Sequence, residues 1–223
     1  MHDCHLLTIG VTILKKGCVY SMDKKALNKL TYGLFVLTAR EDGRDNGCIV
    51  NTVIQVTSDP TRIAVAVNKQ NLTHDMIMGT ARFNVSVLSE KSKFQTYKDW
   101  GFRSGKNEDK TESISFSRAD NGIIYLAEET NAVISAKVVS AMDLGTHTLF
   151  IAEVADCTVL ADDPSVTYAY YHKNIKTQAP AKPVSKGFIC TVCGFVYEGE
   201  ELPADFICPW CKHPASDFKP VDA

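Results

Sequence analysis

The tightest constraint on this chain lies near its C-terminus, where Cys190-x-x-Cys193 and Cys208-x-x-Cys211 are separated by fourteen residues. Two residues between cysteines let both sulfurs of a knuckle face one ion, and two knuckles close a tetrahedron with no open coordination position. Such a site holds charge or structure, not substrate. The segment 187–223 is too short to bury a stable core alone, so metal ligation must supply much of its folding energy. A tetrahedron of thiolates suits zinc and iron alike, so the spacing leaves a structural zinc knuckle and a redox centre both open. His213 follows closely, but four cysteines already fill the site, which leaves that histidine to solvent.

The residues around the knuckles carry more information. They read Cys193-Gly194-Phe195-Val196-Tyr197 and Cys208-Pro209-Trp210-Cys211, with Phe188, Phe206 and Phe218 nearby. A glycine after the second cysteine lets the backbone turn its amides toward sulfur, which tunes a redox-active iron, and the aromatics exclude water. The segment resembles rubredoxin, of the compact type with a shortened loop between knuckles that ends rubrerythrins. That resemblance implies one mononuclear iron held by Cys190, Cys193, Cys208 and Cys211.

Charge and cysteine usage narrow the rest. With 24 basic against 26 acidic side chains the formal net charge is −2, and no basic run or arginine stripe appears, so nucleic acid is excluded as an expected partner. Four of the eight cysteines form the knuckles, and Cys4, Cys18, Cys48 and Cys157 are scattered without pairing spacings. That usage fits a reducing cytoplasm. The apolar run 6–14 is followed, not preceded, by Lys15-Lys16 and is too short to span a bilayer, so neither a secretory signal nor a membrane anchor is expected. Residues 1–21 read as a doubtful extension ahead of a start at Met22; the alternative is a real extension that adds an edge strand.

From Met22 onward the pattern is β-rich. Asp23 is placed to cap a short amphipathic helix over 23–30 with Ala26, Leu27 and Leu30 inward. A strand over 32–39, a turn over 41–47 and strands over 48–57 and 62–68 follow, the last two separated by Ser58-Asp59-Pro60. Helices are expected over 71–78 and 90–100, with strands at 83–88, 122–127, 133–141 and 148–160. The fold class is mainly β: a split β-barrel with a few helices over 22–176, then a small metal-knuckle domain over 187–223. Between them, 177–186 is rich in Gln, Ala, Pro, Lys and Ser, a linker that reaches roughly 30 Å at about 3.1 Å per residue.

A one-electron centre needs a source of electrons. Asn51 to Thr57 alternates polar side chains along a strand, with Asn51, Gln55 and Thr57 on one side and Thr52 in the same run. Asn68-Lys69-Gln70-Asn71-Leu72-Thr73 supplies amides, a hydroxyl and one cation just before a helix that Thr73 is placed to cap, which makes a phosphate cradle. Polar strand faces and helix caps more often serve solvent than a ligand, so order matters more than any single motif. These segments, followed by Phe83 to Leu88, Gly101-Phe102-Arg103-Ser104-Gly105 with Asp109-Lys110, Gly145-Thr146-His147 and Tyr168 to Tyr171, resemble in sequence the flavin reductase-like split-barrel family. The resemblance implies a Greek-key barrel that binds FMN at a homodimer interface. It assigns Asn51, Thr52, Gln55 and Thr57 to the flavin ring and Asn68, Lys69, Asn71 and Thr73 to the phosphate. His147 is assigned to the nicotinamide side, and Tyr168 and Tyr171 to no more than lining.

Joined, the halves resemble the high-molecular-weight rubredoxins, in which an NAD(P)H:flavin oxidoreductase domain is fused to rubredoxin. Hydride carries two electrons and an iron tetrathiolate takes one, and FMN bridges the two. The same resemblance implies a flavodiiron protein or a rubrerythrin-type peroxidase as the acceptor. Two rival expectations are a flavin or ferric reductase with a zinc knuckle, and a flavin-carrying docking module without catalysis.

Overall fold

The computed structural model describes residues 24–112, 114–176, 187–191, 195–209 and 214–221. Cys193, Cys211, His213, Asp23, the doubtful extension and the linker therefore lie outside the described residues. Two compact units are distinguished, one ending at Leu30 and one running from Thr31. In the first, Lys24–Lys29 forms a 3₁₀ helix closed by Leu30 N–H to Leu27 O at 3.2 Å. The expected inward face is absent, with Leu27 59% and Leu30 55% exposed and Ala26 exposed beside them. Six residues are too few to sustain an α-helix without packing, and the tighter winding is the form short segments adopt.

The second unit opens with β1 (Phe35–Glu41) and β2 (Arg44–Val50), paired antiparallel from Glu41 opposite Arg44. The expected turn over 41–47 shrinks to Asp42 and Gly43, whose φ angles of 50° and 82° both lie in the left-handed region that a two-residue hairpin requires. The expected strand over 48–57 is broken. Its first part stays in β2, and its last part is β3 (Ile54–Ser58), paired with β4 (Thr61–Asn68). The physical reason is closure. With β5 (Arg82–Leu88), β8 (Thr130–Asp143) and β9 (His147–Val159), the sheet runs in the order β2-β1-β5-β8-β9-β4-β3, so β2 and β3 are its two edges. Residues 51–53 carry the chain from one edge to the other. Thr52 latches that crossing, its hydroxyl donating to Ala66 O and accepting from Ala66 N–H, both at 3.0 Å.

The helix α1 (Leu72–Thr80) joins β4 to β5 and buries Met76 and Ile77 among Leu37, Val65, Phe83 and Phe150 inside the curled sheet. Asn71, not Thr73, holds its N-cap position; Thr73 is the second helical residue and fully buried. The helix expected over 90–100 is only α2 (Phe94–Tyr97) followed by a π-helical turn, Lys98–Phe102. Its start is held from afar, because the Glu129 carboxylate accepts Lys93 N–H at 2.9 Å and the Thr96 hydroxyl. The strand expected over 122–127 reduces to β7 (Ile124–Tyr125), paired with β6 (Ser117–Arg118).

A second apolar cluster gathers Leu88, Tyr97, Trp100, Ile124 and Val166 with Tyr171 and Tyr168 of α3 (Tyr168–Tyr170) and the turn after it. The rings of Tyr97 and Tyr171 lie 4.4 Å apart. These tyrosines are core packing, not pocket lining as expected, because the segment returns over the barrel's outer surface. The C-terminal part is a three-stranded sheet, β11 (Val196–Tyr197), β10 (Phe188–Cys190) and β12 (Phe218–Pro220). Among the described residues no helix is long and apolar enough to cross a membrane.

Candidate flavin pocket and metal knuckle

Three elements meet at one cavity of about 640 Å³, a size in the range of small-molecule sites. The edge strand β2 supplies Asn46, Gly47, Cys48 and Ile49, the start of α1 supplies Asn71, Leu72 and Thr73, and the end of the π-helical turn with the loop after it supplies 101–105 and Lys110. Asn46 Nδ2 donates to Thr73 Oγ1 at 2.8 Å, tying β2 to the helix. On the other side Arg44 donates to Gly105 O, tying β2 to the loop.

Lys110 dominates the chemistry of this cavity. It is only 3% exposed, and its Nζ donates to Gly47 O and Trp100 O, each at 2.9 Å. No carboxylate among the described residues lies within ion-pair distance of that ammonium. Burial pushes its pKa below the ordinary lysine range, a shift that the neighbouring Cys48 opposes. Burial likewise pushes the Cys48 thiol up, against the pull of Lys110, Thr73 and Asn71. A buried cation beside amides, a hydroxyl and a helix start is a donor set that fits an anionic, polar ligand such as a flavin mononucleotide.

Close backbone approach makes this geometry possible. A methyl group on Gly47 would sit 2.5 Å from Trp100 Cζ3 and 3.0 Å from Thr38 Cγ2. Only glycine at this place on β2 lets Trp100 bury itself and aim its carbonyl at Lys110.

The residues anticipated from sequence divide into two groups. Asn68, Asn71 and Thr73 line the cavity. Lys69 does not; its ammonium sits 2.6 Å from Asp143 on the surface. Asn51, Thr52, Gln55 and Thr57 lie outside the lining, on the crossing and on the exposed edge strand β3. There Gln55 Nε2 donates to Thr57 O at 3.2 Å and the Thr57 hydroxyl donates to Pro60 O. His147, half-buried, stands opposite Asn68 in the β4–β9 ladder with Nδ1 2.9 Å from the Thr146 hydroxyl. Sequence reasoning missed Lys110, Cys48 and Asn46. A lysine in a polar loop reads as solvated, and its only signal was its place in the ordered run of family segments.

In the C-terminal part, Cys190 and Cys208 are buried together among Phe195 and Phe218, at 1% and 0% exposure. Cys190 N–H donates to Phe195 O at 2.8 Å, which folds the first knuckle back on itself. Two adjacent buried thiols inside an aromatic shell fit a thiolate-held metal, for which the sequence supplies Cys193 and Cys211 as the other two ligands.

Comparison with known proteins agrees with both sites. Residues 27–179 match the flavin reductase like domain, and residues 188–219 match the rubrerythrin, rubredoxin-like domain. The chain belongs to the flavin reductase-like family and carries a rubredoxin-like domain behind it: an oxidoreductase whose two domains imply a flavin and an iron. It is 37% identical to the high molecular weight rubredoxin of Moorella thermoacetica, over 90% of this chain and all of that one. It is also 40% identical to the ferric-chelate reductase (NAD(P)H) of Archaeoglobus fulgidus, over 71% of this chain and 94% of that one. Among solved structures, the styrene monooxygenase flavin reductase of Pseudomonas putida S12 superposes with a TM-score of 0.54 at 26% identity, covering 64% of this chain and 88% of that one.

Proposed function

We propose that the protein takes hydride from NAD(P)H onto FMN bound in the cavity and passes single electrons to an iron held by Cys190, Cys193, Cys208 and Cys211. The carrying observation is the buried ammonium of Lys110, outside ion-pair distance of any carboxylate among the described residues, in a polar cavity at the start of α1. When bound, FMN supplies the conversion of a two-electron donor into one-electron steps, and the iron supplies a one-electron store. The chain's residues bind and orient. Lys110, Asn71, Thr73 and Asn68 hold the polar end, Ile49 and Leu72 offer apolar surface, and Trp100 closes the floor. An assignment of His147 to the nicotinamide side is supported by its place opposite Asn68, at the rim of the same region.

The ring-side residues Asn51, Thr52, Gln55 and Thr57 enter this reading through a homodimer. Edge strand β3 is exposed throughout, and Ile54, Val56, Met142 and Leu144 present apolar side chains on that part of the sheet. A second copy covering them buries an edge that otherwise invites pairing, and brings the polar side chains of β3 to the partner's flavin. The acceptor beyond the iron is a protein such as a flavodiiron protein or a rubrerythrin.

A visible spectrum tests the core of the reading: oxidised flavin and ferric tetrathiolate bands in the isolated protein, both bleached by NADH or NADPH. A flavin that stays oxidised with both nucleotides refutes it. The similarity to a ferric-chelate reductase over the barrel favours a second reading, reduction of an external ferric complex with zinc in the knuckles. Metal analysis separates the two, since zinc in place of iron supports only the second.

A further inference from the structure

The C-terminal part reaches the wall of the cavity that holds Lys110. Pro209, which follows the buried ligand Cys208, lines the same cavity as Lys110 and Asn71. Phe102 also lines it, and packs against Cys190 and Cys208 together with Phe195 and Phe218. One barrel side chain thus belongs both to the cavity lining and to the aromatic shell of the thiolates. A further contact between the two domains comes from Lys176, whose Nζ donates to Thr191 O at 3.5 Å beside the first knuckle.

The barrel holds Phe102 firmly. It ends the π-helical turn that begins at Lys98, two residues after Trp100, which is buried and whose carbonyl accepts from Lys110. Gly101 backs onto Ile49, where an added methyl would meet Ile49 Cγ1 at 3.2 Å. Phe94 meets the Phe102 ring in an edge contact, with centroids 6.0 Å apart, and Arg103 is pinned by Glu108 at 2.7 Å.

We propose that the tetrathiolate centre is seated on the flavin cavity of its own chain, with Phe102 and Pro209 forming the seat, so that electrons pass from flavin to metal in cis. The proposal rests on the flavin-to-iron reading above. A linker alone gives an effective concentration on the order of millimolar, and delivers the centre to its own or a partner's flavin by chance; a packed seat fixes which flavin it meets. In balance, each hydride leaves NAD(P)⁺ and two electrons on the flavin. One reduces Fe³⁺ to Fe²⁺ in the same chain, the second follows once that iron has passed its electron to the external acceptor, and the hydride's proton goes to solvent.

Paramagnetic broadening reads the seat without turnover, because ferric iron erases nuclear signals close to it and zinc does not. The full chain, isotope-labelled, is compared with ferric iron and with zinc in the knuckles. The expected result is loss of the Gly101, Phe102 and Arg103 amide signals in the ferric form only, and their partial return in ferric Phe102→Ala. Labelled zinc protein is then mixed with unlabelled ferric protein and left to exchange subunits; those signals should survive. Signals that survive in the labelled ferric protein itself, or a Phe102→Ala variant as broadened as the parent, overturn the seat. Signals lost in the mixture place the centre on a partner's cavity and overturn the cis path. Failure of NAD(P)H to bleach the flavin is a separate reading and counts against the proposed function alone.

Discussion

Replacing Lys110 with methionine keeps the reach of the buried side chain and removes its charge. In the structure that ammonium is spent on two carbonyls, Gly47 O and Trp100 O, and makes no ion pair with a carboxylate among the described residues, Glu108 acting on it only through space, so an anionic ligand is its natural third partner. A hydrogen bond to a charged group contributes about 1.5–3 kcal/mol, so its loss should weaken FMN retention about 10- to 100-fold. Lys69→Ala is the control, because its ion pair with Asp143 is on the surface and such pairs contribute about 0.2–1 kcal/mol. Affinity there should change about fivefold at most. Equilibrium titration of flavin fluorescence on flavin-free protein measures both. Unchanged affinity in Lys110→Met, or a larger loss in Lys69→Ala, refutes the reasoning. A second signature is pH. Burial holds the Lys110 pKa below its unfolded value, so the buried charge costs the flavin-free chain stability below the folded pKa and ceases to cost it above the unfolded one. Thermal denaturation should show the parent gaining on Lys110→Met as pH rises from neutrality toward about 10.5, the ordinary lysine value. The Cys48 thiol, pushed up by burial, stays neutral at the start of that window.

Three further outcomes follow from named contacts. Gly47→Ala drives a methyl to 2.5 Å from Trp100, and overpacking of this kind costs about 1–3 kcal/mol, lowering Tm about 2–4 °C for each; an unshifted calorimetric Tm would show that Trp100 yields freely. Cys208→Ser should abolish the ferric band and loosen the C-terminal sheet while NADH still bleaches the flavin, as read by absorbance and limited proteolysis; loss of both would mean that the domains do not fold separately. Iodoacetamide at neutral pH should label exposed Cys157 and spare Cys48, whose thiol is buried and raised, with peptide mass mapping as the check and equal labelling as the refuting result.

Much of the molecule is legible in the sequence wherever a local rule decides the outcome. The Asp42-Gly43 pair announces a hairpin because those residues tolerate left-handed backbone, although the chain turns more tightly there than the polar run implied. Alternating apolar side chains mark β4, β5 and the long β8–β9 hairpin. Reasoning failed where distant partners took over. The apolar pattern of 48–57 reads as one strand, yet closure of the barrel splits it between opposite edges of the sheet. The helix expected over 90–100 shortens to one turn of α-helix and a π-helical turn, and the carboxylate of Glu129 holds its start from 36 residues away. Leu27 and Leu30 carry helical spacing but lack a surface to bury it.

By itself the sequence determined the pieces whose chemistry is local: two Cys-x-x-Cys pairs, a β-rich body and a polar strand-to-helix loop. Spacing along the chain is enough for these, because thiolates two residues apart and turn residues act on their immediate neighbours. Only the tertiary structure decided which cation is buried, since Lys110 gains its partners 63 and 10 residues away and loses its water only when Trp100 packs over Gly47. Tertiary packing also set Phe102 against Cys190 and Cys208. Burial and long-range contact are properties of the closed barrel, and no pattern of neighbours in the chain encodes them one residue at a time.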